Sequence, residues 1–300
     1  MNNLPNLHDL EVFLLVARRS SFTGVADELG MSPAFVSKRI RALEQDLNLR
    51  LLHRSTRSVT LTDEGERVSR WAQQLLYQVS QLGDEIDALH GEPKGLLKVV
   101  SSAGLGRRMV APALAELGAR YPGLDIRLDV HDRLVDLVEE GVDLDIRVGN
   151  DLAPHVIAKP LAQNHRVLCA SPQYLRAHGT PASLADLGHH DCLVIKERDH
   201  PFGVWNLTGP RGPETVKVTG SLSTNNGEIA RQWCLDGRGI LLRSRWDIKD
   251  DLLSERLVQV LGEYRQAADI WAVYTSPLLN SAKVKVTVEF LSEYFRGRCS

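Results

Sequence analysis

The chain is poor in several features that would each have pointed to a definite class. Its 300 residues contain four cysteines, Cys169, Cys192, Cys234 and Cys299. None stands in a C-x-x-C pair, so no disulfide framework or zinc ribbon is expected, and reduced thiols in a cytoplasm are the default. No apolar run approaches the roughly 20 residues that cross a bilayer, and no membrane association is expected. The opening Met1-Asn2-Asn3-Leu4-Pro5 has neither the basic nor the apolar region of a secretory leader. Net charge is only −2, so any site for a polyanion has to be local. Catalytic signatures are missing too. There is no G-x-S-x-G, no H-E-x-x-H and no P-loop, and Gly104-Leu105-Gly106 lacks the third glycine of a dinucleotide fingerprint. His189, His190, Cys192 and His200 are near in sequence, but their spacing fits no zinc pattern, and a loop of ordinary polar residues is the better reading. The expectation is no catalytic residue, no metal and no cofactor.

What is present begins at Ser21. From there to Thr62 the sequence reads as a winged helix-turn-helix. Two short apolar-faced helices meet at a turn containing Gly30. Ser32 supplies an N-capping hydroxyl, and Pro33 takes the first helical position, where its missing N–H costs nothing. Val36, Ile40, Leu43 and Leu47 recur at helical spacing and define one buried stripe. The opposite face carries Ala34, Ser37, Lys38, Arg41 and Gln45, short or basic residues that let a helix approach base edges and phosphates in a major groove. A hairpin pattern follows, with Arg54 and Arg57 at its tip. Lys38, Arg39, Arg41, Arg50, Arg54 and Arg57 stand against Glu44 and Asp46, a local excess of four positive charges. A solvated basic face on a helical pair that never meets DNA is the plainer alternative; the wing and the charge favour DNA.

These residues also carry a resemblance. The pattern SFT-x-x-A-x-x-L, S-x-x-x-VS-x-x-I-x-x-LE, RLL-x-R and LT-x-x-G is that of the DNA-binding domain of LysR-type transcriptional regulators. It is met here by Ser21 to Thr23, Ala26, Leu29, Ser32, Val36, Ser37, Ile40, Leu43-Glu44, Arg50 to Leu52, Arg54, Leu61-Thr62 and Gly65. Asn48 stands where the family usually has Gly, and since Asn tolerates a left-handed backbone the turn should survive. The resemblance implies that Ser32, Pro33, Ala34, Ser37, Lys38, Arg41, Arg54 and Arg57 meet double-stranded DNA.

Before this stretch, Leu7, Leu10, Phe13, Leu14 and Ala17 share one face of an opening helix, about Leu7 to Arg18. After it, Thr62 is a candidate N-cap for a long helix to about His90. Val68, Ala72, Leu75, Val79, Leu82, Ile86 and Leu89 alternate there by four and three, a heptad seam that Trp71 and Leu76 widen. A homodimer through this helix is expected, as in the similar family, and two heads then read a pseudo-palindromic operator. A homotetramer and a contact with RNA polymerase are further implications of the resemblance.

Pro93 between Gly91 and Gly95 marks a hinge at 91–94. Strand and helix then alternate: strands at Leu96 to Ser101, Asp125 to Val130, Leu144 to Val148, Arg166 to Ala170, Cys192 to Ile195, Val216 to Ser223, Gly239 to Leu242 and Ile270 to Tyr274. Helices fall before Tyr121, at Leu134 to Glu140 and at Ala282 to Phe295. Such alternation indicates a mostly parallel sheet flanked by helices. This part is similar to the LysR effector domain, an α/β two-lobed fold similar to periplasmic type-2 solute-binding proteins. Domains of 1–62, 63–90 and 95–300 are expected, the last with lobe one at 95–162 and 268–300 and lobe two at 165–265. Phrases such as LCASPQYL, NNGEIARQWCLDGRGI and LLRSRWDI resemble a branch that includes regulators of dicarboxylate and tartrate utilisation.

Ligands of open α/β sheets sit at strand carboxyl ends near helix N-termini. Ser101, Ser102, Asp132, Arg147, Gly149, Thr224, Asn225 and Asn226 occupy such places, with Phe202 and Lys196 weaker candidates for closing the pocket. Hydroxyls, amides and a guanidinium would suit a small carboxylate effector. Equally, the polar residues are common helix caps, and Arg147 could only brace the lobes. Two functions stay open: a ligand-responsive transcription regulator, or a solute-binding or metabolic α/β protein whose N-terminal helices serve assembly.

Overall fold

The computed structural model describes residues 5–54, 59–90, 93–153, 156–196, 202–275, 281–296 and 298. Arg57, Gly91, Glu92, His200 and Cys299 lie outside them, as do the side chains of Arg54 and Leu89. The chain divides into two compact units, the first carrying residues up to Ile86 and the second almost all of the rest.

The first unit is built from α1 (Leu7–Arg19), α2 (Phe22–Leu29), α3 (Pro33–Leu47), the strands β1 (Leu52–Arg54) and β2 (Val59–Leu61), and α4 (Asp63–His90). Local chemistry sets its boundaries. Asn6, Ser21 and Ser32 each accept a backbone N–H from the first turn of the helix they precede, and Thr62 Oγ1 accepts from Gly65 N at 2.9 Å. The first three helices end on left-handed residues, Ser20, Gly30 and Asn48, the last at φ 50°. The Asn that replaces the family's Gly therefore holds the turn. Phe13, Val16, Val25, Val36, Ile40, Leu43, Leu51 and Leu52 are fully buried in one cluster, each large side chain contributing about 1.5–3 kcal/mol. A Cβ at Gly65 would stand 2.0 Å from the Leu51 carbonyl oxygen, so α4 can begin against the base of the wing only with glycine there.

Along α4, Val68, Ala72 and Leu76 pack on this core. Trp71, Leu75, Val79, Leu82 and Ile86 stay exposed, Trp71 at 71%. Their spacing of 4, 4, 3 and 4 forms an apolar strip separate from the face that packs inward.

The second unit holds two sheets. The first contains β3 (Gly95–Ser101), β4 (Leu124–Val130), β5 (Leu144–Val148) and β6 (Ile157–Ala162). The second contains β7 (His165–Ala170), β8 (Cys192–Ile195), β11 (Ser223–Thr224), β12 (Ile240–Ser244), β13 (Val258–Gln259) and β14 (Gln266–Ala267), with the hairpin β9 (Val204–Gly209) and β10 (Gly212–Lys217) inserted beside it. β15 (Ile270–Tyr274) returns to the first sheet, giving strand orders β4-β3-β5-β15-β6 and β11-β8-β12-β7-β13, with β14 also on β7. The chain thus passes between sheets at Gln163-Asn164 and back at Ala268-Asp269. The helices are α5 (Ala103–Leu105), running through a π-turn into α6 (Ala111–Arg120), then α7 (Pro172–His178), α8 (Gly227–Leu235), α9 (Arg245–Leu253) and α10 (Ala282–Arg296).

The sheets are mixed rather than mostly parallel. β3 pairs parallel with β4 and β5, but β15 runs antiparallel to β5 and β6, and β12, β13 and β14 run antiparallel to β7. The strands next to the crossings impose this, because each enters its sheet from the opposite end. Leu134 to Glu140 is not a helix but an extended stretch and a turn. Val135 and Leu137, two apart, are its buried residues, a period of 2 rather than 3.6. Val216 to Ser223 is not one strand either: β10 ends at Lys217, and at Gly220 a Cβ would stand 2.1 Å from the Cys192 carbonyl oxygen. Pro160, which cannot donate to a ladder, sits on edge strand β6 beside a register shift. Among the described residues no helix is long and apolar enough to cross a membrane.

Candidate functional site

The first candidate surface is the outer face of α3. Ala34, Lys38, Arg41 and Gln45 are exposed along it, Ser37 is half-buried, and Pro33 and Ser32 open it. Ser32 Oγ accepts from Phe35 N at 3.2 Å. Arg39, counted in the local charge excess, turns the other way and pairs with the buried Asp9 of α1. Glu44, counted against it, is committed inward, its Oε1 accepting from Leu51 N at 3.0 Å and Leu52 N at 3.3 Å. The positive charge left on the outer face is that of Lys38 and Arg41, with Arg50 exposed beside the wing. Phe35 was not singled out in the sequence. Its ring is 42% exposed in the first turn of α3, with the Arg39 guanidinium 6.0 Å from its centroid.

The second candidate is a cleft of about 330 Å³ between the two sheets. Ser102, Asp132, Arg147, Gly149 and Asn225 line it. Ser101, Thr224, Asn226 and Phe202 do not. The Ser101 hydroxyl is buried and donates to the Ile146 carbonyl at 2.8 Å. Thr224 Oγ1 accepts from Asn226 N at 3.0 Å, and Asn226 Oδ1 caps α8 through Glu228 N and Ile229 N. Phe202 is exposed just before β9, and Lys196 is exposed at the end of β8. The capping reading thus describes Asn226, with Thr224 holding the cap residue's own N–H, while Arg147 both lines the cleft and pairs with buried Asp145 at 2.5 Å.

Two further guanidiniums reach the cleft from neighbouring strands of the second sheet, Arg166 of β7 and Arg243 of β12, with Trp246 beside them. The sequence offered one signal for Arg243: it is a charge set directly after the buried run Ile240-Leu241-Leu242. Three arginines face two carboxylates, Asp132 and Asp151. Asp132 is already engaged, accepting from Ala103 N at 3.1 Å and from Asn226 Nδ2 at 2.8 Å. Each arginine also has a partner behind the lining: Arg147 pairs with Asp145, Arg243 with Asp247, and Arg166 Nη1 donates to Gln266 Oε1 at 3.1 Å.

Ion pairs cross from lobe to lobe around this cleft. Arg107 pairs with Glu228 of α8. Arg108 Nη1 donates to Asp247 Oδ1 and to the Asp247 carbonyl, each at 2.6 Å. Asp247 Oδ2 accepts from Arg243 Nε at 2.5 Å. Asp247 is therefore shared between a cleft residue and the opposite lobe.

The remaining candidates for chemistry are internal. His190 Nδ1 lies 3.2 Å from the Tyr174 hydroxyl. Burial pushes the Cys192 thiol up to about 12, and Cys169 is raised by its contact with Cys234 and by burial, which leaves these thiols protonated and poorly nucleophilic. Among the described residues no group of three or more His, Cys, Asp and Glu side chains is placed to hold a metal ion.

A winged helix-turn-helix joined by a long helix to a two-lobed α/β module with an arginine-lined cleft defines a ligand-responsive, DNA-binding regulator. Comparison with known proteins narrows the class. Residues 7–66 match the bacterial regulatory helix-turn-helix of the lysR family, and residues 90–296 match the LysR substrate binding domain. The chain belongs to the LysR family of transcription regulators. It is 61% identical over 295 residues to the HTH-type transcriptional regulator DmlR of Escherichia coli K12, covering 98% of this chain and 96% of that one. It is 45% identical over 298 residues to the HTH-type transcriptional activator TtdR of the same strain, covering 99% and 96%. Among solved structures it is similar to CrgA of Neisseria meningitidis, with a TM-score of 0.61, 31% identity and coverage of 97% and 99%. It is also similar to the full-length Vibrio cholerae virulence activator AphB, with a TM-score of 0.62, 30% identity and coverage of 96% and 99%. Members of this family bind DNA and small-molecule effectors and form oligomers; the chain is a regulator and not an enzyme.

Proposed function

We propose that this regulator responds to a small carboxylate, a dicarboxylate such as malate or tartrate, bound in the cleft between the lobes. The observation that carries the reading is the convergence of Arg147 from the first sheet with Arg166 and Arg243 from the second. Two carboxylates on a short carbon chain would satisfy guanidiniums on both sides at once, and the cleft volume suits so small a ligand. Ser102, Asn225 and the backbone at Gly149 supply further polar contacts, with Asp132 placed to accept from a ligand hydroxyl. Ser101, Thr224 and Asn226 act as framework behind them.

DNA is met by Ser32, Pro33, Ala34, Ser37, Lys38, Arg41, Arg54 and Arg57, with base readout from the α3 residues and phosphate contacts from the wing. The apolar strip on α4 joins two copies, so that two heads address a pseudo-palindromic operator in the cytoplasm. Two such dimers form a homotetramer, and RNA polymerase is a further partner. The working domains are 1–62, 63–90 and 95–300. Effector binding changes the angle between lobes, and only its different affinity for the two arrangements can drive that change.

A thermal-shift titration of the full chain tests the effector. Malate or tartrate should raise the melting temperature saturably, whereas sodium chloride at equal ionic strength should not. No difference between them would sink the carboxylate reading. For DNA, the log of duplex affinity should fall steeply with log salt as counterions are released.

A further inference from the structure

A second cavity, of about 930 Å³, is lined by both crossing segments, through Asn164 and His165 on the outward pass and Ala267 and Asp269 on the return. Its walls are cationic. Arg245 and Lys249 come from α9, Arg265 stands just before β14, and Arg296 and Arg298 come from the end of α10 and just beyond. Asp269 is the one carboxylate among the lining residues, and both its oxygens are occupied in holding the crossings. Oδ1 accepts from Asn164 N at 2.9 Å and Oδ2 from Asn150 Nδ2 at 3.2 Å. Arg245 and Arg265 are exposed, and among the described residues no carboxylate pairs with either. Their combined field reaches His165: burial first, then Arg245 and Arg265, hold its pKa below the ordinary imidazole value. Arg298 also faces Glu116 at 3.8 Å, but Arg245 and Arg265 repel one another, and an anion from solution relieves that repulsion.

We propose that this cavity is a second anion site, taking a small multivalent oxyanion of the phosphate or polycarboxylate type between Arg245, Arg265 and His165. Guanidiniums bind such oxygens through paired donors, and a singly charged ion balances only one of the two, Arg245 and Arg265. The site is separate from the effector cleft but shares one wall with it. Trp246 lines both cavities, and its buried indole Nε1 has no hydrogen-bond partner. His165, Arg245 and Arg265 all belong to lobe two, and Trp246 of the same lobe joins this cavity to the cleft. Occupancy of the two cavities is then linked, each ligand altering the affinity for the other by the same factor. The proposal does not depend on the identity of the effector in the cleft.

The test is calorimetric titration of the full chain with sodium pyrophosphate and, separately, with citrate, at an ionic strength fixed with sodium chloride. Saturable binding is expected for at least one of them. Pyrophosphate binding more tightly identifies phosphate chemistry, and citrate binding more tightly identifies polycarboxylate chemistry. Arg245→Gln and Arg265→Gln should each weaken binding about tenfold or more, the loss of one charged hydrogen-bonding partner. Both side chains are exposed, so the fold and the apo melting temperature should stay as they were. Gly227→Ala, which displaces Arg243 in the other cavity, should leave this binding intact. The proposal is overturned if neither anion binds saturably, or if both glutamine variants bind like the parent. It is equally overturned if Gly227→Ala alone abolishes binding, which puts the anion in the effector cleft. Binding that weakens as protein concentration rises also overturns it, since an acidic segment of a second copy then fills the cavity.

Discussion

The Arg243 guanidinium occupies the space that a side chain at Gly227 would need, its Nη1 lying 1.8 Å from where a Cβ would stand. Its Nη2 lies 3.3 Å from the corresponding point at Gly104 in the opposite lobe. The arginine is thus held in a slot between one glycine of each lobe, pointed into the cleft. Gly227→Ala should push it out at a cost of about 1–3 kcal/mol in stability, and the melting-temperature rise given by malate or tartrate should disappear. DNA binding without effector should persist. A variant that responds to carboxylate as the parent does would remove Arg243 from the effector site.

Asp247 links that arginine to the other lobe, and its side chain is fully buried between Arg243 and Arg108. Asp247→Ala leaves two guanidiniums facing each other around an empty acceptor, and breaking such a buried pair costs about 3–5 kcal/mol. Amide hydrogen exchange read by mass spectrometry should show faster exchange across Arg245–Leu253 and in the helical stretch carrying Arg108. Exchange confined to α9 would mean that the inter-lobe contact contributes nothing.

The difference between these two residues and their neighbours shows what a sequence can disclose. Ser32, Thr62 and Asn48 act locally, through caps and a left-handed turn, and their roles follow from the residues beside them. Arg147 and Asp132 end strands and were visible as strand-end polar groups. Arg166 was not, and Arg243 only faintly, as a charge at the end of a buried apolar run, because little that is local marks which arginine of a mixed sheet faces a cleft formed by a sheet elsewhere in the chain. Leu134 to Glu140 failed for a related reason: apolar spacing compatible with a helix also fits an extended segment whose alternate residues are buried by a distant strand.

A pH effect follows from His190. The Tyr174 hydroxyl accepts from Asp191 N at 3.0 Å, so its own proton is free to go to His190 Nδ1, which must then be unprotonated. Burial, then the nearby His178, lower the His190 pKa, with Asp186 opposing them. The unfolded chain, with an ordinary imidazole value near 6.5, takes up the proton first as pH falls. Stability should therefore be full above that value and decline below it. The melting temperature of the parent should drop more between about pH 7 and about pH 5.5, either side of the ordinary imidazole pKa, than that of His190→Gln. Parallel curves for the two proteins would rule His190 out as the cause.

Glu44 gives a prediction whose sign separates two roles. As a charge beside the DNA-facing helix it repels phosphate; as an acceptor for Leu51 N and Leu52 N it sets where the wing begins. Glu44→Gln keeps an acceptor oxygen and removes the charge, so duplex affinity at low salt should rise slightly. Glu44→Ala removes both and strands two partly buried donors, costing about 1–3 kcal/mol of stability. Its affinity should fall despite the gain in net positive charge, because β1 loses the acceptor that fixes where it starts against α3. Fluorescence anisotropy on one operator duplex across a salt series measures both variants. If Glu44→Ala bound more tightly in step with Glu44→Gln, the carboxylate would act only by repulsion, and the wing would owe its position to the buried Leu51 and Leu52 alone.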